Sequence, residues 1–144
     1  MKAILSKIRN LLGKQTALPE HLVRGQIGEE AAARHLRANG FKLLARNFKS
    51  KRGEIDLVLK DADCLVFVEV KTRSDERWTR PASAVNLEKR QHLSMAALDY
   101  LKSIKNPKIK TRFDIVEVIV KGREVQEIRH LPNSFEMEAP FRYG

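Results

Sequence analysis

The chain has 144 residues, of which 42% are hydrophobic and 32% charged, a composition typical of one globular domain with a highly charged surface. No stretch approaches the roughly 20 apolar residues of a membrane span, and the basic N-terminal segment lacks the apolar core and cleavage site of a secretory signal. The single cysteine, Cys64, excludes an internal disulfide. These features predict a cytoplasmic protein without integral membrane association.

The net charge of +10 is unevenly distributed along the chain. Residues 1–53 carry twelve Lys and Arg against three Asp and Glu, and residues 71–112 carry eleven against four. Between them, residues 54–70 reverse the sign, with five acids and one Lys. Basic regions attract a polyanion, whereas clustered carboxylates repel it unless a cation lies between them. The distribution is typical of a metal-dependent protein that acts on nucleic acid, although an ordinary basic surface with one acidic turn would also produce it.

The first predicted element is a short basic amphipathic helix over residues 1–12, ended by Gly13 and followed by a linker. Its apolar stripe would dock on the domain, on a partner or on an anionic membrane surface, and the pattern does not choose among these. We therefore divide the chain into an N-terminal helix with its linker, residues 1–20, and one domain, residues 21–144.

A second helix is predicted over residues 22–39, with Gly40 in the left-handed conformation that ends many helices. Glu29 falls on the inward stripe of this helix, whereas Glu30 lies off the stripe and can pair with Arg34 at the surface. A buried carboxylate is costly unless it is paired or bound to a metal, so Glu29 is either functional or a helix-edge residue that reaches a nearby base. The other stripe residues are Gly25, Ala32, Ala33 and Leu36.

The remaining pattern alternates between strand and helix signals. The predicted strands cover residues 41–47, 54–60, 64–72, 112–120 and 125–128, and a third helix covers residues 86–103. The order after the N-terminal segment is α-β-β-β-α-β-β, which predicts an α/β domain with a mixed β-sheet flanked by helices.

Alternation along the second strand separates acidic from apolar side chains. Alternate residues of a strand share a face, so Glu54 and Asp56 are predicted on one face and Ile55, Leu57 and Leu59 on the other.

A hairpin between the second and third strands would bring two carboxylates together. If Lys60 pairs with Leu65, Asp56 lies opposite Glu69, with Cβ atoms about 4.5–5.5 Å apart, and such like charges destabilise a bare sheet. Mg²⁺ prefers one or two carboxylates together with waters and phosphate oxygens, and Lys71 shares the face of Glu69 beside such an ion. The pattern indicates phosphodiester hydrolysis, against the alternative of an ordinary surface hairpin with weak ion pairs.

Five sequence blocks follow one another in a specific order: RGQIGEEAAARHL, RNFKSKRGEIDLVLKD, LVFVEVKTRS, PASAV and RFDIVEV. In this order they resemble the YraN-like family, an uncharacterised bacterial group similar to archaeal Holliday-junction resolvases. The resemblance implies a restriction-endonuclease-like fold of the PD-(D/E)XK class, with Asp56 and Glu69 as ligands of Mg²⁺ or Mn²⁺ and Lys71 orienting or activating water. It also implies that Glu29 acts as an outer metal ligand or proton acceptor.

One loop departs from the family pattern. Members of the family that it resembles usually carry Phe-Gly-x-Pro after the lysine strand, where this chain has Trp78-Thr79-Arg80-Pro81. The departure leaves the metal residues unchanged but affects the shape of the loop. Trp78 either stacks on a base or covers the sheet edge.

The sequence thus predicts a Mg²⁺-dependent endonuclease acting on branched or junction DNA, with Arg52, Arg73 and Lys89 as candidate nucleic-acid contacts. Lys89 resembles a basic position of the family near the site, although an ordinary solvated helix residue is slightly favoured there. The alternative function is a non-catalytic nucleic-acid-binding or adaptor module that retains the fold. By analogy with resolvases, we expect a homodimer.

Overall fold

The computed structural model describes residues 4–5, 18–74 and 85–144. The predicted α-β-β-β-α-β-β order and mixed sheet are confirmed, as expected of a restriction-endonuclease-like domain. Neither of the two long helices in the described region combines the length and apolarity of a membrane-crossing segment. The elements are α1 (Glu20–Ala38), β1 (Lys42–Ser50), β2 (Gly53–Asp61), β3 (Cys64–Arg73), α2 (Leu87–Ser103), β4 (Lys110–Lys121) and β5 (Glu124–Phe135).

The five strands lie in one sheet in their order along the chain. β3 and β4 are parallel and are connected through α2, whereas the other neighbouring pairs are antiparallel. α1 packs on one face of the sheet through Val23 and Ile27, and α2 packs on the other through Leu93 and Ala96. Because both faces are covered, β3 and β4 are almost continuously buried, which explains their long apolar runs.

The hairpin between β2 and β3 has the register predicted from the sequence. Lys60 pairs with Leu65, and the ladder continues by one further pair to Asp61 and Cys64. Two residues then form the turn, and Ala62 adopts a left-handed conformation with a φ of 52°. The connection between β2 and β3 is therefore a tight turn of two residues.

The predicted alternation along β2 is wrong at one point. Leu57 packs in the core beneath α1, whereas Ile55 packs in the core beneath α2. The neighbouring strand makes the same change, because Asn47 has a φ of 49° and its neighbours point to opposite faces. Arg46 reaches α1, and Phe48 contacts a ring of α2 with centroids 5.2 Å apart.

Asp56 lies at the point where β2 changes face. The paired residues of β2 and β3 end at Leu57 and Val68, so the two strands separate just before Asp56. The Val70 N–H donates to Asp56 Oδ2 at 2.8 Å. The carboxylate thus replaces a strand-to-strand hydrogen bond and is held in the opening between the strands.

α1 approaches β3 unusually closely beside Glu29. A Cβ atom added at Gly28 would lie 1.9 Å from Thr72 Oγ1, so no larger residue fits unless the helix or the Thr72 side chain shifts. The apolar half of the predicted stripe, Ala32, Ala33 and Leu36, is fully buried. This close packing brings Glu29 to the end of β3.

β5 is longer than the predicted strand over residues 125–128. Pro132 and Asn133, which has a left-handed conformation, interrupt the strand pattern of the sequence. The predicted strand therefore ended too early. β5 is an edge strand, where the missing N–H of a proline costs no ladder hydrogen bond.

Candidate metal centre

Three carboxyl groups converge from three separate elements of the domain. Glu29 comes from α1, Asp56 from the opening of β2, and Glu69 from β3. All three line one cavity of about 510 Å³. Glu69 is only 6% exposed, and the other two are half-buried.

Burial and mutual repulsion perturb these acids. Burial raises the pKa of Glu29 to about 7, helped by the charge of Asp56 and by a hydrogen bond between the two carboxyl groups, which requires a shared proton. Burial raises the pKa of Glu69 to about 7 as well, again with Asp56 contributing. Burial also raises the pKa of Asp56, although the hydrogen bond from the Val70 N–H opposes this shift. The positive charges near these acids therefore do not offset the cost of burying them.

Two lysines approach the same oxygen of Glu69. Lys71 Nζ lies 3.7 Å and Lys89 Nζ 3.6 Å from Glu69 Oε1. Both charges lower the pKa of Glu69, but burial and Asp56 outweigh them. Lys89 comes from α2, and its partly exposed side chain reaches the site through this ion pair with Glu69.

The side chains of the site pair with one another rather than forming a preformed metal cage. Across residues 4–5, 18–74 and 85–144, no three His, Cys, Asp or Glu side chains already have the arrangement of metal ligands. The chemistry of the donors nevertheless fits a hard divalent cation, which prefers carboxylate oxygens and retains several waters. The raised pKa values indicate that added positive charge would be favourable here.

The other predicted nucleic-acid contacts have different surroundings. Arg52 donates from Nη2 to Asp99 Oδ1 at 2.7 Å and from Nε to Asp99 Oδ2 at 3.2 Å, which ties the β1–β2 turn to α2. Arg73 lines the cavity of the three carboxyl groups. Glu30 pairs with Arg34, as predicted, and also with Arg46.

Sequence reasoning missed two side chains of this cavity that carry nitrogen donors. His21 and Arg24 of α1 line it together with Glu29. His21 lies four residues before Gly25 and eight before Glu29, so an extension of the predicted stripe towards the start of the helix could have found it. Arg24 lies five residues before Glu29, about 140° around the helix, so the stripe does not include it.

Several predictions concern residues at the margin of the described region. Trp78 to Pro81 lie outside the described residues. Of the predicted helix over residues 1–12, the structure describes Ile4 and Leu5, which line a small cavity of about 50 Å³ with residues of α1, including Glu29.

Comparison with known sequences identifies similar proteins. A sequence profile described as uncharacterised protein family UPF0102 matches residues 28–118. A UPF0102 protein of Syntrophomonas wolfei is 43% identical over 111 residues, covering 77% of this chain and 96% of that protein. A UPF0102 protein of Trichlorobacter lovleyi is 37% identical over 114 residues, covering 78% and 90%. The matched region contains Glu29, Asp56, Glu69 and Lys71, and the family resemblance noted from the sequence blocks is confirmed.

Proposed function

This chain belongs to the uncharacterised protein family UPF0102, and from that premise we propose that it is a Mg²⁺-dependent endonuclease that hydrolyses phosphodiester bonds in branched or junction DNA. The observation that carries the proposal is the convergence of Glu29, Asp56 and Glu69 beside Lys71. Buried, repelling carboxyl groups with perturbed pKa values are typical of functional sites rather than of structural ones.

Asp56 and Glu69 would hold Mg²⁺ or Mn²⁺, with Glu29 as a further ligand or proton acceptor. When bound, the cation would polarise the phosphate and lower the pKa of a coordinated water. The hydrogen bond from the Val70 N–H to Oδ2 fixes Asp56 in the strand opening. The other carboxylate oxygen would then be oriented to bind the cation. Glu29 and Asp56 would release their shared proton as the site is loaded.

Lys71 supplies a positive charge next to the proposed ligands. Its ammonium lies 3.7 Å from Glu69 Oε1 and is about one-third exposed, so it can reach both the site and a bound phosphate. In the proposed reaction Lys71 orients the attacking water or stabilises negative charge on the phosphate. The homodimer expected by analogy, with one such site in each copy, would let the protein cut two strands of a junction.

A non-catalytic nucleic-acid-binding or adaptor module is the second candidate function. The observation that favours it is the self-contained pairing of the site, in which two lysines already pair with Glu69 and a hydrogen bond joins the carboxyl groups of Glu29 and Asp56. In that case the carboxyl groups would be remnants of a former active site, and binding would depend on the basic surface alone.

The experiment that separates the two functions is an incubation of duplex, flap and four-way-junction DNA with Mg²⁺ or Mn²⁺. We expect cleavage that is abolished by Asp56→Asn and reduced roughly 10²- to 10⁴-fold by Lys71→Ala. Lys60→Ala, an exposed lysine on β2 outside the cavity, is the matched control and should cleave normally. Cleavage that persists in both site variants would refute the assignment of these residues to the active site. Salt-sensitive binding without cleavage of any substrate would instead support the non-catalytic adaptor function.

A further inference from the structure

The cavity that contains the carboxyl groups also has a cationic rim. Arg24 of α1 and Arg73 of β3 line it, both half-buried, and the exposed His21 lies one helical turn before Arg24. The hydroxyl residues Thr72 and Ser74 complete the lining at the end of β3. Cations and hydroxyl groups are the usual partners of nucleic-acid phosphates.

The lining does not suit recognition of bases. Among the described residues that line this cavity there is no Phe, Tyr or Trp, and the one ring is the exposed imidazole of His21, so the lining offers little surface on which bases could stack. Its volume of about 510 Å³ is that of a small-molecule pocket, which cannot admit a whole duplex. A single sugar-phosphate backbone is a polyanion narrow enough to enter it.

The arrangement of charge fixes the direction of approach. The carboxyl groups repel a phosphate, whereas the rim attracts it, so without a divalent cation a strand gains its affinity at the rim. We propose that this cavity binds the backbone of one unpaired DNA strand independently of its sequence, with Arg24 and Arg73 pairing with phosphates that flank the one facing the carboxyl groups. This inference rests on the proposed function for its substrate but assigns the binding to residues outside the catalytic set.

The test is a fluorescence anisotropy titration of the full chain in EDTA, across a series of salt concentrations. The probes are two short labelled single strands of equal length and different sequence, and the duplex of one of them. We expect equal affinities for the two single strands and weaker binding of the duplex. Arg24→Gln should weaken binding to both single strands equally and reduce the salt slope by about 0.7, the value for one lost contact with a single strand.

Arg37→Gln is the matched control, because Arg37 is exposed on the same helix and does not line this cavity. It should leave the salt slope unchanged, and thermal unfolding should show that both variants are folded. Equal effects of the two variants, strong preference for one sequence, tighter binding of the duplex, or no binding at all would each overturn the inference.

Two further arms separate this inference from the proposed function. If a deoxymononucleotide competes as well as the oligonucleotide, the cavity binds a small anion. That result would overturn the proposal that it binds a DNA strand. Cleavage of DNA by the wild-type chain, with binding unaffected by Arg24→Gln, would refute the inference and leave the proposed nuclease intact. Binding that depends on Arg24, without cleavage under any divalent cation, would support the inference and refute the hydrolysis.

Discussion

Acids that are removed from solvent in two regions of the domain behave in opposite ways. Burial raises the pKa of Glu29 and of Glu69 to about 7. Burial acts in the same direction on Asp114, a fully buried residue of β4, yet hydrogen bonds from its partners outweigh burial and lower its pKa. Burial alone therefore does not distinguish a structural carboxylate from a functional one.

The partners of Asp114 account for the difference. His130 Nε2 lies 2.7 Å from Oδ2, Arg112 Nε donates to Oδ1 at 3.0 Å, and the Asn133 N–H donates to Oδ1 at 2.9 Å. These contacts tie β5 to β4 and satisfy the carboxylate. The acids of the candidate metal centre instead face one another, which is a poor arrangement for stability and a useful one for binding a cation.

The largest expected effect is a difference in stability when aspartate is replaced by asparagine in each of the two regions. Asp114→Asn should lower the free energy of unfolding by about 3 kcal/mol or more, because it removes the charge that balances Arg112 in a buried pair. Asp56→Asn should change it by less than about 1 kcal/mol, because the amide oxygen still accepts from the Val70 N–H and repulsion with Glu69 is relieved. Urea denaturation of both variants measures the difference, and equal losses would contradict the comparison.

A smaller effect is expected where α1 packs against β3. Gly28→Ala should destabilise the protein by about 1–3 kcal/mol, because the added Cβ lies 1.9 Å from Thr72 Oγ1. Gly25→Ala, which meets nothing within 4 Å, should be neutral or stabilising by up to about 1 kcal/mol.

Removal of the obstructing side chain sharpens the interpretation. The double variant Gly28→Ala with Thr72→Ala should recover part of the stability, since the hydroxyl that the new methyl group meets is then absent. If Gly28→Ala unfolds at the same urea concentration as Gly25→Ala, the close approach does not constrain the helix that carries Glu29.

The pH dependence of stability should have opposite signs in the two regions. Glu29 and Glu69 bind protons more tightly in the folded state, so between pH 4.5 and about 7 stability should fall as pH rises. Asp114 stabilises the fold above its ordinary pKa of 3.8, and its contribution should be lost as pH falls below that value. The first effect should be on the order of 1 kcal/mol, given the partial exposure of Glu29.

Urea midpoints across this pH range provide the measurement. The double variant Glu29→Gln with Glu69→Gln should flatten the profile between pH 4.5 and about 7 while leaving the acid limb unchanged. An unchanged slope in that variant would assign the dependence to other groups, such as the histidines, and remove the electrostatic argument for the site.

Much of the site was predictable because it depends on register. The pairing of Lys60 with Leu65 is set by the short connection between two apolar strands. It brings Asp56 just beyond the last paired residues, Leu57 and Val68, where Asp56 and Glu69 line the same cavity. The stripe of α1 likewise pointed Glu29 inwards by helical spacing alone. Local periodicity and turn length were sufficient for these residues.

What the sequence did not predict depends on contacts between distant residues. The change of face at Asp56 coincides with the left-handed conformation of Asn47 on the neighbouring strand, which a period of two cannot reveal. Lys89 reaches Glu69 only because α2 crosses the sheet at that end. β5 extends past Pro132, where the Asn133 N–H donates to Asp114 of β4, a residue 19 positions earlier in the chain.

The most direct test of the central claim is a calorimetric titration of the wild-type chain with Mn²⁺ at about pH 6.5, in two buffers with different ionisation enthalpies. We predict binding that releases protons, because the acids that would hold the ion are partly protonated near neutral pH. Asp56→Asn should lose this binding, and Asp63→Asn, which removes an acid that is 79% exposed at the hairpin turn, should retain it. Heats that are the same in both buffers, or binding that survives Asp56→Asn, would contradict the assignment of these carboxyl groups to a metal centre.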